Sequence, residues 1–127
     1  MNSCDENGIT IKRIYCRPQR SDGARILVDR LWPRGLSKQA AHIDHWMKDV
    51  APSDELRKWF AHDVARWEAF RDRYRKELEA KRDELQQLRD LCRQGPVTLL
   101  FAARDEMHNQ AVVIRQWLVE HEADGRT

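Results

Sequence analysis

The chain has 127 residues, 41% of them hydrophobic and 35% charged, with a formal net charge of +2. That length suits one domain able to bury a core without covalent staples. No apolar run approaches the roughly 18 residues of a membrane span, and the opening Met1-Asn2-Ser3-Cys4-Asp5-Glu6 lacks the basic-then-apolar order of a secretory signal. A cytoplasmic protein with no membrane contact is the expectation. Cys4, Cys16 and Cys92 are odd in number and form no Cys-x-x-Cys pair, which fits reduced thiols and not a disulfide framework.

Ile9, Ile11 and Ile14 open the chain with β-branched residues near alternation, which predicts a first strand over 9–15. Residues 17–23 form a loop, since Pro18 removes a donor and Asp22-Gly23 favours a turn. The unbroken Ile26-Leu27-Val28 run predicts a strand over 25–31 buried on both faces. Pro33 and Gly35 then stop any regular element, and Ser37 is placed to cap a short helical turn.

Residues 42–50 read two ways: Ile43, Trp46, Met47 and Val50 have helical spacing, while the flanks suit a short extended segment. Ser53, with Asp54 and Glu55 behind it, starts a helix carrying Leu56, Trp59 and Phe60. Asp63 is a second cap, opening a long helix whose apolar face runs through Trp67, Phe70, Tyr74 and Leu78 and on to Leu85, Leu88 and Cys92. Lys81 falls on that face, so a break is expected at 80–83. Gly95-Pro96 ends the helix. Residues 97–103 are the clearest strand, and 108–120 form a helix with Ala111, Ile114, Trp117 and Leu118 inward.

Helices separating apolar strands predict an α/β fold: a single compact domain with a small, mostly parallel sheet flanked by helices. The domain spans 1–127, with an ordered core of about 9–120 and loose ends at 1–7 and 122–127. In such a sheet, ligands bind beyond the carboxyl ends of the strands. The loops after strands 25–31 and 97–103 are therefore the candidate site if their strands run parallel.

Charge points the same way. Residues 9–48 hold nine basic side chains against three acidic ones, a net of +6 that leaves −4 for the rest. That bias suits an anionic ligand, although acidic helices could also neutralise it internally. Arg30, Arg34 and Arg104 are the candidate anion-holding groups, their guanidinium forks matching phosphate or carboxylate. His108 is the candidate proton exchanger, Asn109 the positioning amide, and His62 a further group able to turn into the cleft. Asp29 reads as a general base or, more simply, as counter-ion to Arg30 or Arg25. The same spacing also suits plain structure: Asp105 or Asn109 as helix cap, His108 in a solvent-facing first turn, Trp32 in the core.

His42 and His45 stand three apart with no third ligand nearby, so no metal is expected. No phosphate-binding glycine loop, nucleophile elbow or dinucleotide fingerprint occurs, and no cofactor is expected. Two functions remain in view. One is a small-ligand binder or enzyme acting on a phosphate- or carboxylate-bearing molecule. The other is a nucleic-acid-binding or protein-interaction module using the basic first third.

The run Asp22-Gly23-Ala24-Arg25-Ile26-Leu27-Val28-Asp29-Arg30-Leu31-Trp32-Pro33-Arg34-Gly35 resembles the signature of the YeaO-like family, domain of unknown function 488. So do Ala51-Pro52-Ser53, Leu56-Arg57-Lys58-Trp59-Phe60-Ala61-His62-Asp63, and the segment from Val97 to Ala103 followed by Asp105, His108-Asn109 and Ala111. The resemblance extends over about residues 9–119. It implies a compact α/β domain of bacterial cytosolic type with no assigned reaction, and so no catalytic map. It adds weight to Asp29, Arg30, Arg34, His62, His108 and Asn109, which lie inside the matching stretches.

Overall fold

The computed structural model describes residues 8–124, with side-chain surroundings for 8–121. The segments 1–7 and 125–127, expected to be loose, lie outside the described residues, as does Cys4. Four strands form one sheet: β1 (Ile9–Arg13), β2 (Ala24–Leu27), β3 (His45–Trp46) and β4 (Val97–Phe101). Their spatial order is β1-β4-β2-β3, and every pairing is parallel.

The last strand in sequence is thus central, which explains its composition. All five residues of β4 are buried, because a strand with neighbours on both edges and cover on both faces has no side exposed to water. Regular pairing in β2 ends at Leu27, short of the expected residue 31, although the Val28 amide still donates to Leu100 O at 3.1 Å.

The helices are α1 (Lys38–Ala41), α2 (Asp54–Phe60), α3 (Trp67–Glu79), α4 (Arg82–Gln94) and α5 (Gln110–Asp124). They divide unequally between the faces. Ile26, Val28, Leu99 and Phe101 meet Phe60, Phe70, Tyr74, Leu78, Leu88 and Ile114 in the main core. The opposite face has only a small cluster of Ile14, Leu27, Ala41 and Leu100, with Trp32, Leu36 and Ile43 packed against it. Polar cover completes that face. Asp22 and Arg25, both buried, pair at 2.5 Å, and Lys12 reaches the same carboxylate at 3.1 Å. Arg25 also donates to the carbonyls of Ala41 and His42 at 2.9 and 3.0 Å, leaving no guanidinium edge orphaned.

Local signals fared as polar satisfaction dictates. Ser37 accepts from the Ala40 amide and Ser53 from Leu56, as N-caps do. Asp63 does cap, but it caps a 3-10 turn (Val64–Arg66) that leads into α3. The 42–50 segment resolves as the extended alternative, a two-residue strand followed by a 3-10 turn over Lys48–Val50. The break between α3 and α4 falls at residues 80 and 81. There Lys81 escapes the apolar face by donating to Asp49 O and Ala51 O at 2.6 and 2.8 Å. Helix α5 begins two residues later than expected and runs past Glu120 to Asp124, so residues 122–124, expected to be part of a loose end, are helical. No helix among the described residues is long and apolar enough to cross a membrane.

Candidate functional site

Because β2 and β4 are adjacent and parallel, the loops leaving their carboxyl ends lie side by side. Between these loops and the start of α2 opens a cleft of about 320 Å³. Its apolar walls come from Trp32, Pro33, Ala51, Pro52, Phe60 and Phe70, and its polar groups from Tyr15, Asp29, Arg30, Arg34, Arg57, His62, His108, Asn109 and Gln110.

Asp29 stands where β2 leaves the sheet. Its Oδ2 accepts from the Ala102 amide at 2.9 Å, taking a backbone donor at the end of β4, and its Oδ1 accepts from Gln110 Nε2. Burial pushes its carboxyl up to about 6, against the opposing pull of the Ala102 amide. The expected counter-ion role is corrected here. Arg25 is committed to Asp22, and Arg30 turns to Pro52 O at 3.4 Å and to Asp54 at 3.8 Å. Asp29 therefore spends its oxygens on amides, which carry no full charge to hold it ionised.

Arg30, Arg34 and Arg57 reach the cleft from two directions. Arg30 and Arg57 share the exposed Asp54, Arg57 at 3.2 Å, and such exposed pairs are weak enough to be exchanged for another anion. The Arg34 carbonyl accepts from Tyr15 Oη at 2.9 Å, tying the loop to the end of β1 while its exposed guanidinium stays unengaged among the described residues. Trp32 is half-buried, donates to Leu36 O at 2.6 Å and packs edge-on against Trp46, so it serves as both wall and core.

The loop of residues 102–109 is built on Asp105. Its Oδ1 accepts from the amides of Met107 and His108 at 2.9 and 3.1 Å, and its Oδ2 meets His108 Nδ1 at 2.8 Å. These amides, with the imidazole, hold the Asp105 carboxyl below the usual range. A carboxylate only accepts, so the neutral ring carries its proton on Nδ1 and leaves Nε2 for the cleft. Trp67 stands edge-on to the ring at 5.2 Å between centroids. His108 is thus held rigidly before α5 and not in its first turn.

Asn109 follows the plainer alternative. It is buried, its Oδ1 accepts from the Val112 amide at 3.2 Å, and its Nδ2 donates to Asp105 O at 2.9 Å. Both ends are engaged in capping α5 and bracing the loop. Arg104 is exposed and lies outside the cleft lining. His62 is exposed at the rim, its ring 6.1 Å from Phe60. It follows Ala61 in a second left-handed backbone conformation (φ 47° and 57°), which non-glycine residues adopt at a cost. His42 caps α1 and His45 lies on β3, so they share no helix face.

Sequence reasoning passed over Arg57, Gln110 and Tyr15. Arg57 looks like one more charge on a solvated helix, and only the packing of α2 beside the 28–36 loop gives it a place.

The model of the family DUF488-N3i, described as the inactive DUF488-N3 subclade, matches residues 8–126. The chain belongs to this family. It is 44% identical over 110 residues to the uncharacterized protein YeaO of Escherichia coli K12, covering 87% of this chain and 96% of that one. It is 39% identical over 113 residues to the uncharacterized protein Rv3073c of Mycobacterium tuberculosis H37Rv, covering 89% and 95%. No solved structure matches it significantly. The likeness to the YeaO-like family is thereby shown, and it extends over the whole sheet and both site loops.

Proposed function

We propose that the cleft is a recognition site for a small anionic group, a phosphate or carboxylate, and that it binds without turnover. The observation that carries this is the convergence of Arg30, Arg34 and Arg57 on one cleft whose lining contains a single carboxylate, Asp29. Guanidinium forks supply charge-assisted hydrogen bonds in that setting. The description of the family as an inactive subclade supports binding over chemistry.

Proton exchange by His108 is the second reading. The carboxylate–imidazole pair at 2.8 Å favours it, being the arrangement that orients a general base. Nucleic-acid binding by the basic first third draws less support. Lys12 and Arg25 are consumed by Asp22, and Arg13 by Ala103 O at 2.9 Å, so part of that positive charge is internal.

The test is a thermal-shift and NMR titration with inorganic phosphate, acetate and phosphorylated metabolites. The expected result is stabilisation by mass action, with shifts confined to residues 29–34, 57–62 and 102–110. Arg34→Ala and Arg57→Ala should each weaken binding about tenfold, the loss of one charge-assisted hydrogen bond. Anions that leave those resonances unmoved would end the proposal. Hydrolysis or isomerisation of a bound metabolite, lost in His108→Ala, would replace it with the second reading.

A further inference from the structure

The large hydrophobic side chains that stand exposed among the described residues are Tyr15, Leu31, Trp46, Val64 and Met107. They are not scattered. Tyr15 and Leu31 line the cleft, and Met107 precedes the lining residue His108. Val64 stands two positions after the lining residue His62, and Trp46 packs edge-on against Trp32 of the wall. Each of the five thus lines the basic cleft, stands within two positions of a residue that does, or, in the case of Trp46, packs against one.

Their exposure is held in place by hydrogen bonds. Tyr15 Oη donates to Arg34 O at 2.9 Å and Trp46 Nε1 to Asp29 O at 2.7 Å. Met107, 72% exposed, sits in the turn that Asp105 pins through its amide, and Val64 in the turn capped by Asp63. Leu31, 62% exposed, follows the tethered Arg30. Tethered apolar side chains beside a charged depression lower the ordering cost of association and are the anatomy of an interaction site.

We infer that this face docks a protein partner, which places one aspartate or glutamate side chain in the cleft and lays apolar neighbours on the tethered side chains beside it. The inference rests on the anion-binding reading above. Charge fits a single carboxylate: three guanidiniums against Asp29 and Asp54 leave one net positive charge. Size fits as well, since about 320 Å³ is at the small end of ligand pockets, and Trp46, Val64 and Met107 lie outside its lining. Leu31, Val64 and Met107 have no flat face on which a nucleobase could stack, and the rings of Tyr15 and Trp46 each have one face taken by a cation, Arg13 and Lys48 at 5.2 Å, which favours a protein over single-stranded nucleic acid.

The experiment uses the full chain to select from a peptide pool with a fixed central glutamate and randomised flanks. N-acetylglutamate amide serves as the bare anion. Selected peptides should carry aliphatic or aromatic residues beside the glutamate and bind at least about tenfold tighter than the amide. Met107→Ser and Val64→Ser, both at exposed positions, should weaken the peptide about tenfold and leave the amide unchanged. Arg34→Ala should weaken both. Selection without flanking preference, a peptide no tighter than the amide, or an oligonucleotide that outcompetes the peptides would overturn the inference and leave the anion reading standing. If neither the amide nor phosphate perturbs the cleft, the anion reading itself fails and the inference falls with it.

Discussion

Gln110, the first residue of α5, donates its side-chain amide to Asp29 at the end of β2, across 81 positions of sequence. This bond joins the two loops that frame the cleft. Burial raises the pKa of the Asp29 carboxylate, and its amide partners, carrying no full charge, offset only part of the rise.

The sign of the resulting pH dependence follows from linkage. Asp29 titrates near 6 in the folded chain against an ordinary 3.8, so the folded state binds the proton more tightly than the unfolded state. The stability that this proton confers is complete below pH 3.8 and is lost as pH rises through 6. The difference amounts to about 3 kcal/mol at neutral pH, at roughly 1.4 kcal/mol per pK unit. Asp29→Asn mimics the protonated form and keeps an acceptor for Ala102. It should raise the melting temperature at pH 7.5, leave it close to the parent at pH 4, and flatten the profile between. A variant that loses stability at pH 7.5 would show that the ionised carboxylate is well satisfied.

Asp105 has the opposite sign. Its lowered pKa means a stabilising contribution present above the ordinary carboxylate range and lost as pH falls. Asp105→Ala removes the partner of His108 Nδ1. Nitrogen-15 spectra of the imidazole should then change from one dominant Nδ1–H tautomer to a mixture with Nε2–H. An unchanged tautomer balance would mean that the ring is oriented by Trp67 packing alone.

Asn109→Ala tests the cap. The Val112 amide and the Asp105 carbonyl both lose their partner, which should cost about 2 kcal/mol. A fall in the urea midpoint with an unchanged slope is expected. Anion binding should weaken mainly through loosening of the 102–109 loop, since both ends of the Asn109 amide are engaged within it and α5.

Gly23→Ala tests the turn before β2. Gly23 sits at φ +66°, and an added Cβ would lie 2.1 Å from Pro96 O, a backbone atom that cannot rotate aside. Strain and clash together should cost about 3 kcal/mol or more. A soluble variant within about 1 kcal/mol of the parent by urea titration would show that the 22–24 and 95–97 segments shift easily.

Much of the frame was legible because its causes are local. Ser37, Ser53 and Asp63 cap where a side-chain oxygen meets free amides one turn ahead, and the break near Lys81 follows from a charge out of phase with its helix face. The runs at 26–28 and 97–101 are apolar because both their faces are covered. Residues 42–50 were ambiguous for an equally physical reason. Helical spacing there competes with β3 pairing to β2, and the Met47 amide bonding to Leu27 O at 2.9 Å decides it.

The site was legible only in part. By itself the amino-acid sequence determined the α/β class, the parallel strands, the loops at their carboxyl ends and most of the polar groups on them, because spacing, caps and apolar runs act over a few residues. Tertiary structure alone decided which of those groups meet. It placed β4 between β1 and β2, brought Arg57 and Gln110 into the cleft, left Arg104 outside it, gave Asn109 to the helix cap and turned Arg25 to Asp22. Those outcomes depend on which donors and acceptors come within about 3 Å once the chain has closed. Pairings between residues tens of positions apart leave no local pattern to read, and for Asn109 and Arg25, whose partners lie three positions away, the fold chose between local alternatives.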